Sequence, residues 1–228
     1  MVYGALSNRV AITSSITVQG VNGPETTVIQ GGWQPGITNG DAAMRCVYVG
    51  TNAVLSGFTL THGATRTNGT AVFDRCGGGA WCEISGTISN CILSSNSASF
   101  GGGGSYRGIL NNCMLTGNSA AFNNNQEGFG GGAYGCTLYN CTLSGNSGQM
   151  GGGACFCALN NCILFSNSVF GSYGSGGGAY GGTLSNCVVR NNMGAGSVVC
   201  GDSYSYPALL NGGGGGAAFS SMYSCLIA

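Results

Sequence analysis

The chain has 228 residues, of which 46 are Gly, 13 are Cys and only 12 carry charge; six Arg balance six acids and Lys is absent. This excludes a basic nucleic-acid footprint, and the 43% hydrophobic content excludes a disordered polar chain. No apolar stretch is long enough for a membrane-spanning helix, the Gly lack the three-residue period of collagen, and the opening MVYGALSNRV lacks a signal-peptide core.

In chain order, Val2–Val10 (VYGALSNRV) reads like Ala179–Val188 (AYGGTLSNCV) with one residue missing, and Ala53–Ala64 (AVLSGFTLTHGA) aligns with Thr87–Ala98 (TISNCILSSNSA). Residues 64–76 read as a solvated, charged insertion. From Gly77 a phrase recurs: GGGAW at Gly77–Trp81, GGGGSY at Gly101–Tyr106, GGGAY at Gly130–Tyr134, GGGAC at Gly151–Cys155, GGGAY at Gly176–Tyr180, and a looser GGGGGAA at Gly212–Ala218. After each comes a second phrase (TISNCIL, ILNNCML, TLYNCTL, ALNNCIL, TLSNCVV, SMYSCLI) that sets Cys91, Cys113, Cys141, Cys162, Cys187 and Cys225 in one column. A third column, Asn96, Asn118, Asn146, Asn167 and Asn192, lies three residues beyond an apolar residue. The chain stops at SCLIA, just past the Cys column, so the 228 residues read as a segment of a longer secreted protein or a unit whose ends a second copy covers.

Successive column cysteines are 22, 28, 21, 25 and 38 residues apart, a base unit of about 21–22 with insertions between the Asn column and the next Gly run. Each unit holds short β-type runs and no helical periodicity. The expected fold is therefore all-β: a single-stranded parallel β-helix of about seven to eight rungs. It forms one domain over 1–228, with 1–76 less regular and 77–228 regular. Asn at the corners tolerates left-handed backbone and its amide can bond the same amide one rung away. Leu138, Cys141 and Leu143, matched by Leu159, Cys162 and Leu164, are expected to face inward. In-register neighbours stand farther apart than a disulfide prefers, so the Cys column is expected to hold free thiols, with Cys136 and Cys157 the exception.

The pairing of a GGA phrase with an L-x-x-N phrase resembles the GGA[ILV] and FxxN repeats of chlamydial polymorphic outer-membrane proteins. It resembles still more the Gly/Asn/Cys-rich repeats of large secreted right-handed β-helix proteins from Verrucomicrobia and Planctomycetes. The resemblance implies a right-handed coil and an extracellular or cell-surface, adhesin-like or polysaccharide-associated role in bacteria.

Half of the charges, Asp41, Arg45, Arg66, Asp74, Arg75 and Glu83, fall close together with the single His62. A lyase or hydrolase site would use His62, Asp74, Glu83 and Arg75 for acid–base work. No motif for a metal, a cofactor or a triad is present. Phe122, Phe129, Phe170, Tyr173, Tyr204 and Tyr206 lie in the insertions; they are either packing that holds the loops on the solenoid wall, the reading favoured here, or a sugar-stacking surface. The leading expectation is a non-catalytic stalk segment binding polysaccharide or cell-surface glycan. The alternatives are a carbohydrate-active enzyme with a site near residues 41–83 and a homo-oligomer that stacks through the solenoid ends.

Overall fold

The computed structural model describes residues 2–3, 6–120, 128–171, 174–194, 215–218 and 220–227. These residues are almost entirely β, with one four-residue helix, Ala71–Asp74. The chain coils as a parallel β-solenoid in which strands of successive rungs pair in register. One sheet is eight-stranded, built from Val28–Gln30, Thr59–Thr61, Ile92–Ser94, Met114–Thr116, Thr142–Ser144, Ile163–Phe165, Val188–Arg190 and Leu226–Ile227. A 15-stranded sheet carries the other two arms of each rung, the Gly-run arm and the Thr-Leu-Ser arm, which merge in the seven-residue strands Ala154–Asn160 and Ala179–Ser185. A four-stranded sheet follows the Asn column. No helix among the described residues is long and apolar enough to cross a membrane.

Period-2 alternation decides what enters the core. Leu55, Ile88, Leu110, Leu138, Leu159 and Leu184 stack in one fully buried column, and Leu60, Leu93, Leu115, Leu143, Leu164 and Val189 in a second. Each such side chain contributes about 2 kcal/mol through removal from water. Residues 6–63 already belong to this frame: Thr17–Gln19 pairs with Val54–Ser56, and Val28–Gln30 with Thr59–Thr61. Two alignments read from the sequence are corrected here. Leu55 pairs with Ile88 and Leu60 with Leu93, one residue away from the alignment of Ala53–Ala64 with Thr87–Ala98. That slip would have turned both leucines to the outer face. Val10 pairs with Val47, which pairs with Ala80, so Val2–Val10 leads into the Gly-run arm rather than matching Ala179–Val188.

The Asn ladder is continuous. Asn96, Asn118 and Asn146 each donate from Nδ2 to Oδ1 of the next ladder Asn at 3.0, 3.0 and 2.9 Å, and Asn167 does the same to Asn192 at 2.9 Å. Each also donates to a main-chain carbonyl of the rung before, as Asn118 does to Leu93 at 2.8 Å. The left-handed corners lie one residue earlier than expected. Asn90, Asn112, Asn140, Asn161 and Asn186, just before the Cys column, have φ of 50–54°. Ser95, Gly117, Gly145, Ser166 and Asn191 play that part just before the ladder. The ladder Asn are not themselves left-handed; their side chains must enter the core, whereas the residue before each is free to carry the turn.

Glycine runs and ladder are one device. A Cβ on Gly132 would lie 3.1 Å from Asn146 Cγ, and one on Gly131 would lie 2.2 Å from the Ser147 carbonyl oxygen. The Gly run thus lies directly on the ladder of its own rung. Gly131→Ala is expected to cost about 3 kcal/mol or more by forcing backbone apart. Gly117→Ala, at a corner where other rungs carry Ser and nothing lies within 4 Å of the added Cβ, is expected to cost about 1 kcal/mol. Thermal melts of the two variants check this: equal melting temperatures would contradict it.

All the described cysteines are free thiols, including Cys136 and Cys157, where a disulfide was the expected exception; Cys200 lies outside the described residues. Neighbours in a parallel ladder stand about 4.8 Å apart, too far for the bond. The Cys136 N–H instead donates to Cys157 Sγ at 3.4 Å. In the long column, Cys141 Sγ lies 3.2 Å from the Tyr139 carbonyl oxygen and 3.5 Å from that of Leu110. The thiols act as small buried corner residues and weak donors.

Candidate ligand-binding ridge

Where Ala80, Ser105, Ala133, Ala154 and Ala179 point into the core, the next residue in each rung must point out. Those residues are Trp81, Tyr106, Tyr134, Cys155 and Tyr180, paired in register, with Tyr48 one rung before Trp81. Their rings form a continuous ridge on the outside of the large sheet. Centroid separations are 5.5 Å for Tyr48–Trp81, 5.8 Å for Trp81–Tyr106 and 5.6 Å for Tyr106–Tyr134. Phe156 replaces the missing ring of the Cys155 rung, 6.2 Å from Tyr134 and 5.7 Å from Tyr180. Over five rung steps the ridge runs about 24 Å. Phe100 and Phe129 line one flank, 5.3 Å apart, and Phe129 stacks on Tyr134 at 5.6 Å. Arg75 sits over Phe100 and Arg107 over Tyr106, at 5.5 and 5.1 Å from the ring centroids.

The residues 64–76 are not a free solvated insertion; they fold over the N-terminal half of this ridge. Phe73 stacks on Trp81 at 5.5 Å, and Trp81 Nε1 donates to the Val72 carbonyl at 2.9 Å. Tyr48, Trp81 and Tyr106 are consequently buried. The cover is held by Arg45, whose buried guanidinium donates to the carbonyls of Gly77 (2.7 Å), Phe73 (2.8 Å) and Cys76 (2.7 Å) and to Asn8 Oδ1 (2.9 Å). Burial pulls this guanidinium down to about 10, so it remains charged at neutral pH. Asp74 is buried as well and accepts from the Thr70 main chain and hydroxyl at 2.8 and 3.0 Å. Buried charges satisfied in this way position the insertion. By contrast the Arg66–Asp41 pair, 2.8 Å long with Asp41 largely solvated, adds little.

The C-terminal half of the ridge is open. Tyr134 and Tyr180 are half-buried and Phe156 is 53% exposed. Desolvation pushes the Tyr134 hydroxyl up to about 12, so it is a neutral donor and acceptor at physiological pH.

The residues singled out for catalysis are found in different settings. His62 is exposed at a left-handed corner, 4.8 Å from the Trp33 ring, with Nδ1 2.9 Å from Thr61 Oγ1. Asp74 supports the cover, and Glu83 accepts from the Tyr48 hydroxyl at 3.0 Å. Arg75 lies on the flank of the ridge. Of the aromatics in the insertions, Phe129 joins the ridge and Phe170 is exposed on its loop; Phe122, Tyr173, Tyr204 and Tyr206 lie outside the described residues. Sequence reading overlooked the ridge itself, although its signal was present: the aromatic that closes GGGAW, GGGGSY and GGGAY is a column in its own right. Among the described residues no cluster of His, Cys, Asp or Glu is arranged to hold a metal. Comparison with known proteins found no matching family model, no similar curated protein and no similar solved structure.

Proposed function

We propose that this chain is a non-catalytic segment of a secreted or cell-surface β-solenoid that holds polysaccharide along the open half of its aromatic ridge. The observation that carries the reading is the unbroken contact of Tyr134, Phe156 and Tyr180, rings presented by successive rungs and left accessible. Aromatic faces stack on the C–H faces of pyranose rings, and tyrosine hydroxyls add hydrogen bonds at the rim. A hydrogen-bonded sheet fixes the rings before binding, so little ordering entropy is lost. The dispersal of His62, Asp74 and Glu83 supports binding over lyase or hydrolase chemistry.

The test is affinity electrophoresis and pull-down on a panel of soluble and insoluble polysaccharides. Replacing Tyr134, Phe156 and Tyr180 together by Ala should weaken retention about tenfold or more, since each ring contributes roughly 0.5–1.5 kcal/mol. Phe165→Ala, on the eight-stranded sheet, should change nothing. Undiminished retention by the triple variant would sink the proposal.

A further inference from the structure

The corner residue that follows the ridge column is Arg107, Gly135, Phe156 and Gly181 in successive rungs, and all four have positive φ, 57, 65, 51 and 63°. Two of the four therefore leave a vacancy where a side chain could stand, and the vacancies differ. At Gly181 an added Cβ would lie 2.6 Å from Phe156 Cδ1, so the Phe156 ring already fills that space. At Gly135 the nearest atom to an added Cβ is Arg107 Cγ, at 3.9 Å. Because Phe156 leans away, Gly135 floors an exposed notch between the stem of Arg107 and the ring of Phe156, with Tyr134 beside it. Arg107 and Phe156 stand two rungs apart, about 9.6 Å, which is room for one pyranose.

Arg107 gives this notch its chemistry. Its guanidinium is half-buried over Tyr106, and no ion pair joins it to a described carboxylate. Glu83, the carboxylate at the covered end, is engaged by Tyr48. A planar guanidinium presents two parallel N–H donors that match a carboxylate, and partial desolvation strengthens the pair.

Building on the ridge reading above, we propose that the Gly135 notch is a subsite for the carboxylate of a uronic-acid residue, and that the ridge therefore prefers acidic polysaccharides. The sugar ring stacks on Tyr134 and Phe156 while its carboxylate takes a bidentate hydrogen bond from Arg107.

The test measures binding of polygalacturonate, its fully methyl-esterified form, a neutral galactan and a sulfated galactan by calorimetry or affinity electrophoresis. The intact chain should bind polygalacturonate about tenfold or more tighter than the ester, the yield of one charge-assisted pair, and added salt should shrink the difference. Arg107→Gln should abolish the preference, bringing polygalacturonate binding down to the level of the ester. Gly135→Phe, which places in the notch the residue the next rung already carries, should abolish the acid-over-ester preference while lowering the melting temperature by only a few degrees, the cost of a side chain at φ 65°. Equal binding of acid and ester, or a preference that survives Arg107→Gln, overturns the subsite; if neutral galactan is still bound through Tyr134, Phe156 and Tyr180, the ridge reading stands without it. Sulfated galactan bound as tightly as polygalacturonate overturns the carboxylate assignment. Failure to bind any of the four overturns both readings.

Discussion

Raising the pH from 8 to 10 in the presence of a reductant should lower the melting temperature by about 10–20 °C. The cause is the buried thiols. Burial pushes Cys46, Cys76 and Cys82 up to about 12, whereas an unfolded thiol titrates near 8.5. The folded state holds these protons more tightly, so the stabilisation is complete below about pH 8.5 and is lost progressively as the pH rises toward 12. At pH 10 each thiol costs about 2 kcal/mol, and three cost about 6, a large share of the roughly 5–15 kcal/mol of a typical domain. For a chain of this size each kcal/mol is worth about 2–4 °C. Tyr134 and Arg45 titrate at or above the top of this range and do not set its lower edge. Calorimetry in steps of pH checks the expectation, and replacing the three cysteines by Ala should reduce the slope without abolishing it, because Cys141 and Cys162 are raised to about 12 as well. A melting temperature constant from pH 8 to 10 would overturn it.

Asn118→Ala should be among the most damaging single substitutions, at about 3–5 kcal/mol. Asn118 is fully buried, donates to Leu93 O and Asn146 Oδ1, and accepts from both the main-chain and side-chain nitrogens of Asn96 at 3.0 Å. Its removal orphans the Leu93 carbonyl and two donors of Asn96 in a dry interior, at about 1–3 kcal/mol for each unsatisfied group. Asn118→Asp keeps the volume but loses the donors, so it separates hydrogen bonding from packing. Asn192→Ala should cost less, because Asn192 is only part-buried and water can replace its bonds. Denaturant titration gives the free energies. An Asn118→Ala midpoint equal to that of the intact chain would show that the ladder is decoration.

The open ridge and the core differ in how far a sequence can announce them. In a solenoid, the partner of a residue is its own equivalent one unit along the chain, so a column of like residues is at once a sequence pattern and a set of contacts. Asn96 to Asn167, Cys91 to Cys187 and the Leu columns were legible for this reason, as was the period that makes parallel rungs the only economical way to pair them. The coupling of Gly132 to Asn146 and of Gly79 to Asn96 explains why Gly run and Asn phrase recur together.

Tertiary structure alone decided the rest, because it depends on contacts that do not repeat. The one-residue register of Val54–Ser56 on Thr87–Ser89 follows from which leucines can be buried, and a similarity of letters is blind to that choice. Arg45 and Asp74 look like solvated charges in a polar stretch; only folding brings four acceptors to one guanidinium and lays Phe73 on Trp81. That cover buries three rings of the ridge and leaves three others accessible. Repetition along the chain wrote the columns and the core; a single insertion, meeting surface that no other rung shares, determined where the ridge is open.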